Sequence, residues 1–525
     1  MCSMENLLIA GVDTSTQSCK IVIRDYKTGD FVRSSSADHP DGTECHPDNW
    51  WNAFQKAVAD GGIDDVSAIA VGGQQHGMVL LDADGEIIRP ALLWNDTRSA
   101  VAVCDLTSEL GALTVVKSPI AHKDGKHILE IGKSAWAQAV GSALVASITI
   151  TKIRWIAAME PENARRIAAI CLPHDWLSWR IAGFGPRSQG LNPDLTKLFT
   201  DRSDASGTGY FDATADNEKG AYRRDLLELA FRPLGDDAAK ELSRSVILPR
   251  VLQPTEYFEA PKFIIGPGGG DNAVAALGLG LKTDEVSISL GTSGVVAAVS
   301  STPTIDETGV INGFADCTGN YLPLACTLNA SRDIDAGKAI LGVDYERFSE
   351  LALTGEPGAG GITLVPYFEG ERMPNRPTAN ASLFGLTLEN STQQNVARAF
   401  VEGMLLGLND GLVEMGKLGV NIENVYIIGG SMKSPAVREI APAVFGRDIT
   451  LPSAGEYVAD GAARQAAWCL SNKLEDGFAV DNPPHWKFVS EEVISADATP
   501  KVVEAYELVK GLRTRGELQQ ANNLS

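Results

Sequence analysis

The same pattern of strand, polar turn and strand occurs twice in this chain, once at its start and again past its middle. Leu7 begins the first copy, LLIAGVD, TSTQS and CKIVIRD, and a third β-rich run follows at FVRSSS. Val286 begins the second copy, VSISLGTSGVVAAVS, with YLPLACTL as a candidate third strand. Helical spacing and further strands come after each meander. Because 525 residues exceed what one core usually holds, the repeat predicts two related α/β domains.

The proline-bearing stretch from Pro249 to Phe263 is the best candidate for a boundary between these domains. We therefore expect an N-terminal domain over residues 1–256 and a C-terminal domain over residues 257–525. Asp48 is a plausible N-cap for the helix-like run DNWWNAFQKAVADG, and one terminal helix is expected from Asp497 onward. The segment 111–150 carries few signals and receives no assignment.

Charge and cysteine usage exclude several classes of protein. The net charge is −22, and no basic run offsets it, which argues against a general binder of nucleic acid or of anionic membranes. The eight cysteines show neither a CxxC pair nor zinc spacing, so reduced thiols are expected. The N-terminus has no signal-peptide pattern and no apolar run is long enough to span a bilayer, so we expect a cytoplasmic protein.

The two polar turns are candidates for binding phosphate. In DTSTQSCK, a short turn of small residues follows a buried strand and can point several backbone N–H groups into one concavity, while Asp13 could hold Mg²⁺. SLGTSG supplies the same turn chemistry without an acid. Each turn alone is equally compatible with an ordinary hairpin, in which Asp13 caps its own turn. Two such turns at equivalent places favour two loops that bind a single polyphosphate.

Two further glycine turns have open alternatives. GGSMKSP, from Gly429, either lets a nucleoside lie against the backbone or makes a tight strand-to-helix connection. GPGGGDNAV resembles the dinucleotide fingerprint, but Asp271 stands where the third glycine is required, which weakens a nicotinamide oxidoreductase hypothesis. Asp271 is either an N-cap or a carboxylate that a substrate approaches over bare backbone.

Polar residues concentrate in GGQQHGMVLLDADGEIIRPALLWNDTRS, from Gly72 to Ser99. Gln, His, Asn and Asp supply the donors and acceptors that hydroxyl groups need, and Trp94 could face C–H surface. This density favours a pocket for a sugar or polyol over a core.

The motifs named so far, together with SDASGTGYFD, PYFEGERMPNRPTANASLFGL and YVADGAARQAAW, resemble the FGGY family of carbohydrate kinases in order along nearly the whole chain. The resemblance is greatest to those members that convert D-xylulose to D-xylulose 5-phosphate. It implies an α/β fold of two RNase H-like, actin-like ATPase domains with an interdomain active-site cleft that closes on the sugar. It also implies Mg²⁺ and ATP, with sugar binding and the first phosphate loop in the N-terminal domain and ATP binding, the catalytic aspartate and the C-terminal helix in the other.

The resemblance assigns roles residue by residue. Asp271 is implied to be the base that takes a proton from the sugar hydroxyl, and Asp13 is implied to lie on the metal side. The implied substrate-binding residues are Gln75, His76, Trp94, Asp96, Asp271 and Asn272. The implied ATP- or phosphate-binding residues are Asp13, Thr14, Ser15, Thr16, Lys20, Gly291, Thr292, Ser293, Gly429, Gly430 and Lys433.

Two departures from the family pattern leave the sugar open. Gln75 stands where methionine is usual, and Ser431-Met432 follows only two glycines. The alternatives are therefore a kinase for ribulose, L-xylulose or a tetritol, and a non-catalytic sugar or nucleotide sensor on the same fold. The sequence leaves the oligomeric state open, with a homodimer possible.

Overall fold

The computed structural model describes residues 7–14, 17–117, 127–486 and 491–523. Within these residues the chain forms two compact units. The first unit comprises the described residues within Met1–Leu281, Ser301–Leu322 and Gly455–Phe488. The second comprises those within Lys282–Ser300, Pro323–Ala454 and Val489–Ser525. Asp271 belongs to the first unit, and the proposed domain boundary at 256/257 stays a prediction.

The described strands and helices follow in chain order. The strands are β1 Leu8–Thr14, β2 Ser18–Asp25, β3 Phe31–Asp38, β4 Glu44–Cys45, β5 Val66–Gly73, β6 Val79–Leu81, β7 Ala91–Leu92, β8 Ala169–Cys171, β9 Phe199–Asp201, β10 Phe211–Asp212, β11 Ala221–Tyr222, β12 Arg250–Leu252, β13 Phe258–Glu259, β14 Ile264–Ile265, β15 Gly269–Gly270, β16 Glu285–Leu290, β17 Gly294–Ala298, β18 Asn312–Ala315, β19 Tyr321–Thr327, β20 Thr363–Val365, β21 Ser382–Phe384, β22 Asn424–Ile428, β23 Ile449–Pro452 and β24 Glu491–Ile494. The helices are α1 Pro47–Gly61, α2 Ala100–Lys117, α3 Ile128–Val140, α4 Thr149–Met159, α5 Pro161–Arg165, α6 Pro173–Ile181, α7 Arg202–Ser206, α8 Arg224–Phe231, α9 Asp236–Ser245, α10 Asp271–Leu279, α11 Ser331–Leu341, α12 Tyr345–Thr354, α13 Gln393–Lys417, α14 Pro435–Phe445, α15 Tyr457–Leu474, α16 Pro500–Val509 and α17 Arg515–Asn523.

The sheet of the first unit has the order β13-β14-β5-β1-β2-β3, and β15 also pairs with β5. Strands β1, β2 and β3 form the antiparallel meander that the sequence predicts, and β5 pairs parallel with both β1 and β14. Strand β1 is buried on both faces because Ala10 and Val12 join the core around Trp50 of α1, while Gly11 lies against α15. The carboxyl ends of β1 and β5 therefore meet at one edge of the sheet.

The sheet of the second unit runs β19-β17-β16-β22-β23-β24. Strands β16, β17 and β19 are antiparallel, and β16, β22 and β23 are parallel. This matches the first unit strand for strand, since β3-β2-β1-β5-β14 and β19-β17-β16-β22-β23 have the same order and directions. The prediction of two related α/β meanders is confirmed.

Helix α15 supports both β1 and α10 by direct contact between backbones. A Cβ atom built on Gly11 would lie 1.8 Å from the carbonyl oxygen of Ala459 in α15. Gly461 of α15 and Gly278 of α10 are equally constrained, because a Cβ atom on either would lie 1.9 Å from a carbonyl oxygen of the other helix. Since β1 ends in the segment that carries Asp13 and α10 begins at Asp271, α15 fixes the elements that carry both carboxylates.

Three local expectations need correction or completion. The N-cap of α1 is His46, whose ring accepts a hydrogen bond from the backbone N–H of Asp48, so Asp48 itself lies in the first turn. The single terminal helix is in fact two helices, α16 and α17, with Gly511 between them. The unassigned segment contains the end of α2, all of α3 and the start of α4, apart from residues outside the described ranges. No helix among the described residues is long and apolar enough to cross a membrane.

Candidate active site

Asp13 lies at the carboxyl end of β1, next to Gly72 of β5 and Lys20 of β2. Its side chain is buried, and its Oδ1 atom has no hydrogen-bond partner among the residues that the structure describes. Burial, and then the negative charge of Asp271, raise the pKa of Asp13 to about 7. A carboxylate oxygen without a partner at the end of a strand is suited to a hard cation, which would remove part of the cost of its burial.

Asp271 follows a turn of three glycines and begins α10. Strand β15, Gly269–Gly270, pairs parallel with the end of β5, so this turn reaches the same sheet edge as Asp13. The Oδ1 atom of Asp271 accepts hydrogen bonds from the backbone N–H of Asn272 at 2.8 Å and from its side-chain amide at 2.9 Å. Burial raises the pKa of Asp271 to about 6 against these two bonds, which lower it. The carboxyl is thus partly exposed at the end of the turn and poised to exchange a proton near neutral pH.

Gln75 and His76 follow β5 and complete this edge. The Nδ2 atom of Asn272 donates to the Oε1 atom of Gln75 at 3.0 Å, while the Nε2 atom of the buried Gln75 has no hydrogen-bond partner in residues 7–14, 17–117, 127–486 and 491–523. His76 has a φ of 65°, which is uncommon for a residue other than glycine. Its Nδ1 atom donates to the carbonyl of Gly207 at 2.7 Å, which fixes the orientation of the ring.

Lys152 of α4 holds His76 in this conformation, a role that our sequence analysis missed. The Nζ atom of Lys152 is fully buried and donates to the carbonyl oxygens of His76 and Ser147, both at 2.7 Å. Burial lowers the pKa of Lys152 to about 7, while the negative charges of Asp96 and Asp204 oppose this effect. One lysine in an apolar helix gives little signal in a sequence, since most such residues extend toward solvent.

Asp96 and Trp94 lie on the segment after β7. Asp96 is buried and accepts hydrogen bonds from the backbone N–H of Arg98 at 3.0 Å and from its Nε atom at 2.8 Å. Burial alone would raise the pKa of Asp96, but the bonds from Arg98 lower it, so its ionised form is stabilised. Trp94 is partly exposed on the same segment. Asp96 is within electrostatic reach of Lys152 and, through it, of His76.

A second buried polar cluster lies behind the glycine turn, and the sequence did not reveal it either. His174 lies 2.9 Å from Asp175, 3.5 Å from Asp204 and 4.0 Å from Asp201, measured between ring nitrogens and carboxylate oxygens. Burial lowers the pKa of His174 to about 3 and raises the pKa values of all three carboxyls. With this pKa, His174 is neutral near pH 7. Its ring lies close to Gly268, since a Cβ atom built on that glycine would be 3.2 Å from it.

The remaining predicted residues lie in the second unit or near its loops. Gly291, Thr292 and Ser293 form the turn between β16 and β17, and Gly291 accepts a hydrogen bond from the N–H of Ser331 at the start of α11. Gly429 has a φ of 107° and lies against the end of β16, since a Cβ atom there would be 2.5 Å from the carbonyl of Leu290. The structure therefore brings these two loops together at one sheet edge. Gly430 and Lys433 are exposed in the turn after Gly429.

The first polar turn is described only at its two ends. Thr14 is buried, and its hydroxyl has no hydrogen-bond partner within the described part of the chain. Lys20 is half-exposed, and its ammonium pairs with Glu456 at 2.7 Å. Ser15 and Thr16 lie outside the described residues, so their predicted contact with phosphate stays a prediction. No group of three or more His, Cys, Asp or Glu residues in the described part of the chain is arranged to hold a metal ion.

The two sheets of matching strand order define a protein of the actin-like ATPase fold, and comparison identifies its family. The model for the FGGY family of carbohydrate kinases, N-terminal domain, matches residues 8–278, and the model for the C-terminal domain matches residues 286–470. The chain therefore belongs to the FGGY family of carbohydrate kinases, and it is an ATP-dependent carbohydrate kinase. The predicted family and fold class are confirmed, whereas a cleft between the domains stays a prediction.

The similar proteins agree with this assignment. The chain is 36% identical to the xylulose kinase of Streptomyces coelicolor over 521 residues, which cover 94% of each chain. It is 37% identical to the xylulose kinase of Streptomyces rubiginosus over 515 residues, again 94% of each. The crystal structure of xylulose kinase from Bifidobacterium adolescentis is similar with a TM-score of 0.89 and 51% identity, over 96% of this chain and 100% of that one.

Proposed function

We propose that this protein transfers the γ-phosphoryl group of ATP to the 5-hydroxyl of D-xylulose, giving D-xylulose 5-phosphate and ADP. The observation that carries the proposal is Asp271, a partly exposed carboxylate at the end of a glycine turn, with a pKa raised to about 6. We infer D-xylulose as the acceptor because the similar proteins are named xylulose kinases. We infer ATP as the donor because the chain belongs to a family of carbohydrate kinases.

Asp271 acts as the general base in this proposal. The sugar hydroxyl is a weak nucleophile, so the carboxylate accepts its proton as the oxygen forms a bond to the γ-phosphorus and the bond from that phosphorus to the bridging oxygen of ADP breaks. The two hydrogen bonds from Asn272 orient the carboxylate. Glycines at positions 268–270 allow close packing behind Asp271, because added Cβ atoms there would lie 2.6 Å from Val71, 2.8 Å from Val274 and 2.6 Å from Gln75.

Gln75, His76, Trp94, Asp96 and Asn272 are the proposed sugar-binding residues. The amide Nε2 atom of Gln75, which has no partner among the described residues, offers a donor to a sugar hydroxyl, and His76 follows it directly at the end of the same strand. Asp96 acts at longer range, because its side chain is already engaged by Arg98. Trp94 offers an apolar face for C–H groups.

The phosphate groups of ATP are proposed to bind backbone N–H groups of Thr14 to Thr16 and Gly291 to Ser293, and the nucleoside is proposed to bind at Gly429, Gly430 and Lys433. Lys20 would exchange Glu456 for phosphate, which costs little because exposed ion pairs contribute about 0–1 kcal/mol. Asp13, with its unpartnered buried oxygen, fits Mg²⁺, and the ion when bound would neutralise charge on the phosphate oxygens. We also propose a cytoplasmic location and leave a homodimer as a proposal for the assembly.

A second candidate keeps the chemistry and changes the sugar. Gln75 places a hydrogen-bonding amide where the family pattern has methionine, which could favour ribulose, L-xylulose or a tetritol. A non-catalytic sensor, the other alternative that the sequence left open, is disfavoured because both family models that match are those of carbohydrate kinases.

A turnover panel with ATP tests these alternatives. Purified protein is assayed for ADP release with D-xylulose, L-xylulose, D-ribulose, L-ribulose and erythritol, and the phosphorylated carbon is identified by NMR. We expect D-xylulose to have the highest kcat/KM, with phosphate on its 5-oxygen. The variant Gln75→Met should raise KM for the sugar about tenfold, because one donor is lost, and leave KM for ATP unchanged. Another preferred acceptor would overturn the assignment of D-xylulose, and no transfer to any of them would favour the sensor.

A further inference from the structure

The glycine turn that carries Asp271 has no side chains of its own by which it can be fixed. Gly268 has a φ of +81°, a conformation that other residues rarely adopt. Both polar backbone groups of Gly268 are bound by one side chain. The Oε1 atom of Gln465 accepts from the N–H of Gly268 at 2.8 Å, and its Nε2 atom donates to the carbonyl of Gly268 at 2.8 Å.

Gln465 is itself held firmly. It lies in α15 and is 1% exposed, and this helix contacts α10 and β1 through its backbone. The two parallel hydrogen bonds fix both the position of Gly268 and the orientation of its peptide groups. A third, longer hydrogen bond holds the end of the turn, where the N–H of Gly270 donates to the Oγ atom of Ser203 at 3.3 Å. Only Gly268, Gly269 and Gly270 separate the contact with Gln465 from Asp271, and hydrogen bonds hold the first and the last of these glycines.

We propose that Gln465 is a positioning residue for the base, which sets the place and direction of the Asp271 carboxylate by clamping Gly268. This inference rests on the proposed function of Asp271. Gln465 itself contacts none of the groups proposed to react. Since a displacement of about 1 Å at a reacting group typically costs about a hundredfold in rate, loss of the clamp should appear in kcat rather than in ATP affinity.

Only a side-chain amide, or a protonated carboxyl of the same length, offers one donor and one acceptor in this geometry. Methionine has the length and offers neither. Ionised glutamate accepts from the N–H but places its second oxygen against the carbonyl of Gly268. Protonated glutamate restores both bonds. Burial at this position would raise the pKa of a glutamate, so its two forms can be interconverted within an accessible pH range.

The test compares kcat of the wild type, Gln465→Glu and Gln465→Met between pH 6 and 9 with saturating ATP and the best acceptor of the panel. For Gln465→Met we expect a kcat lower by about ten- to a hundredfold, a ratio to wild type that does not change with pH, and an unchanged KM for ATP. For Gln465→Glu we expect a ratio close to one at low pH that falls about tenfold as pH rises and the glutamate ionises. Dividing by wild type removes the pH dependence of Asp271.

Cys469→Ala is the matched control. Cys469 is buried one turn further along α15 and does not bind Gly268, so its variant should lower the melting temperature without a pH-dependent change in relative kcat. A pH-independent ratio for Gln465→Glu, or a folded Gln465→Met with wild-type kcat, would overturn the proposal. Should Gln465→Met fail to fold, the pH series on Gln465→Glu alone decides. Wild-type protein without turnover, or Asp271→Asn with full turnover, would instead refute the proposed function.

Discussion

The carboxylate of Asp271 is subject to two opposing influences at the scale of a single residue. Hydrogen bonds from Asn272 favour its ionised form, and burial favours its protonated form more strongly, so its pKa rises to about 6. A base with a pKa near the working pH is ionised when the substrate arrives and still binds the proton it removes. The negative charge of Asp271 also raises the pKa of Asp13, which ties the two groups together electrostatically.

The buried carboxyl of Asp204 should make the free energy of unfolding depend on pH. Burial and the charges of Asp175 and Asp201 raise its pKa well above that of an unfolded aspartate. The folded protein therefore holds the proton of Asp204 more tightly than the unfolded chain does, and its contribution to stability is lost as pH rises from about 4 through the raised pKa.

We expect Asp204→Asn to become more stable relative to wild type as pH rises above about 4, because the wild type must then ionise a buried carboxyl that the variant lacks. Melting temperatures measured at each pH test this expectation. Asp105→Asn, on an exposed site of α2, is the control and should show a constant difference. If the difference for Asp204→Asn is constant as well, the buried carboxyl is not responsible.

The sequence predicted some of the residues at this sheet edge and missed others. Asp13, Gln75, Asp271 and Asn272 were found because they stand in short, unusual motifs at strand ends, and the structure brings them to one sheet edge. Lys152, His174 and Gln465 were missed. Each is one polar residue within a helical pattern, and its partner is a backbone group or side chain far away in sequence, which spacing alone cannot indicate.

At the scale of elements, α15 determines where both carboxylates lie. Gly461 is the point of closest approach to α10, since a Cβ atom there would lie 1.9 Å from the carbonyl oxygen of Val274. Two helices can approach this closely only where a side chain is absent. The sequence GAARQAAW of α15 thus combines a contact surface of small residues with the clamp of Gln465.

Gly461→Ala should therefore force α10 and α15 apart. We expect a loss of about 1–3 kcal/mol of stability, as for other overpacked sites, and a lower kcat because α10 begins at Asp271. Gly416→Ala in α13 is the matched control, because nothing lies within 4 Å of the added Cβ atom. There, alanine should stabilise the helix by about 0.5–1 kcal/mol and leave kcat unchanged. Urea denaturation and steady-state kinetics would measure both, and equal stability of the two variants would contradict the account.

The two meanders were predicted because alternating apolar residues around a small-residue turn indicate a hairpin whatever surrounds it. The ends of helices were harder to predict from the sequence. Helix α1 begins two residues earlier than an N-cap at Asp48 would place it, since proline is favoured in the first turn and His46 supplies the cap. Helix α2 has no one-sided apolar stripe, so the start of the segment 111–150 gave no helical signal.

At the scale of the whole molecule, the protein carries a net charge of −22, although its substrate ATP is itself an anion. We therefore expect phosphate to be bound locally, by the proposed backbone N–H groups, Lys20 and a cation at Asp13, rather than by a basic surface. The repeated sheet order supplies one polar turn in each unit at the end of a central strand.

The most direct measurement is the pH profile of kcat/KM for the sugar, with saturating ATP and magnesium, for wild type and Asp271→Asn from pH 5 to 9. The base must be ionised to accept a proton, so wild-type activity should fall about tenfold per pH unit below a pKa of about 6. Asp271→Asn should bind ATP normally by calorimetry, turn over about two to four orders of magnitude more slowly, and lack this acidic limb. A folded Asp271→Asn with wild-type turnover and the same acidic limb would contradict the assignment of Asp271 as the base.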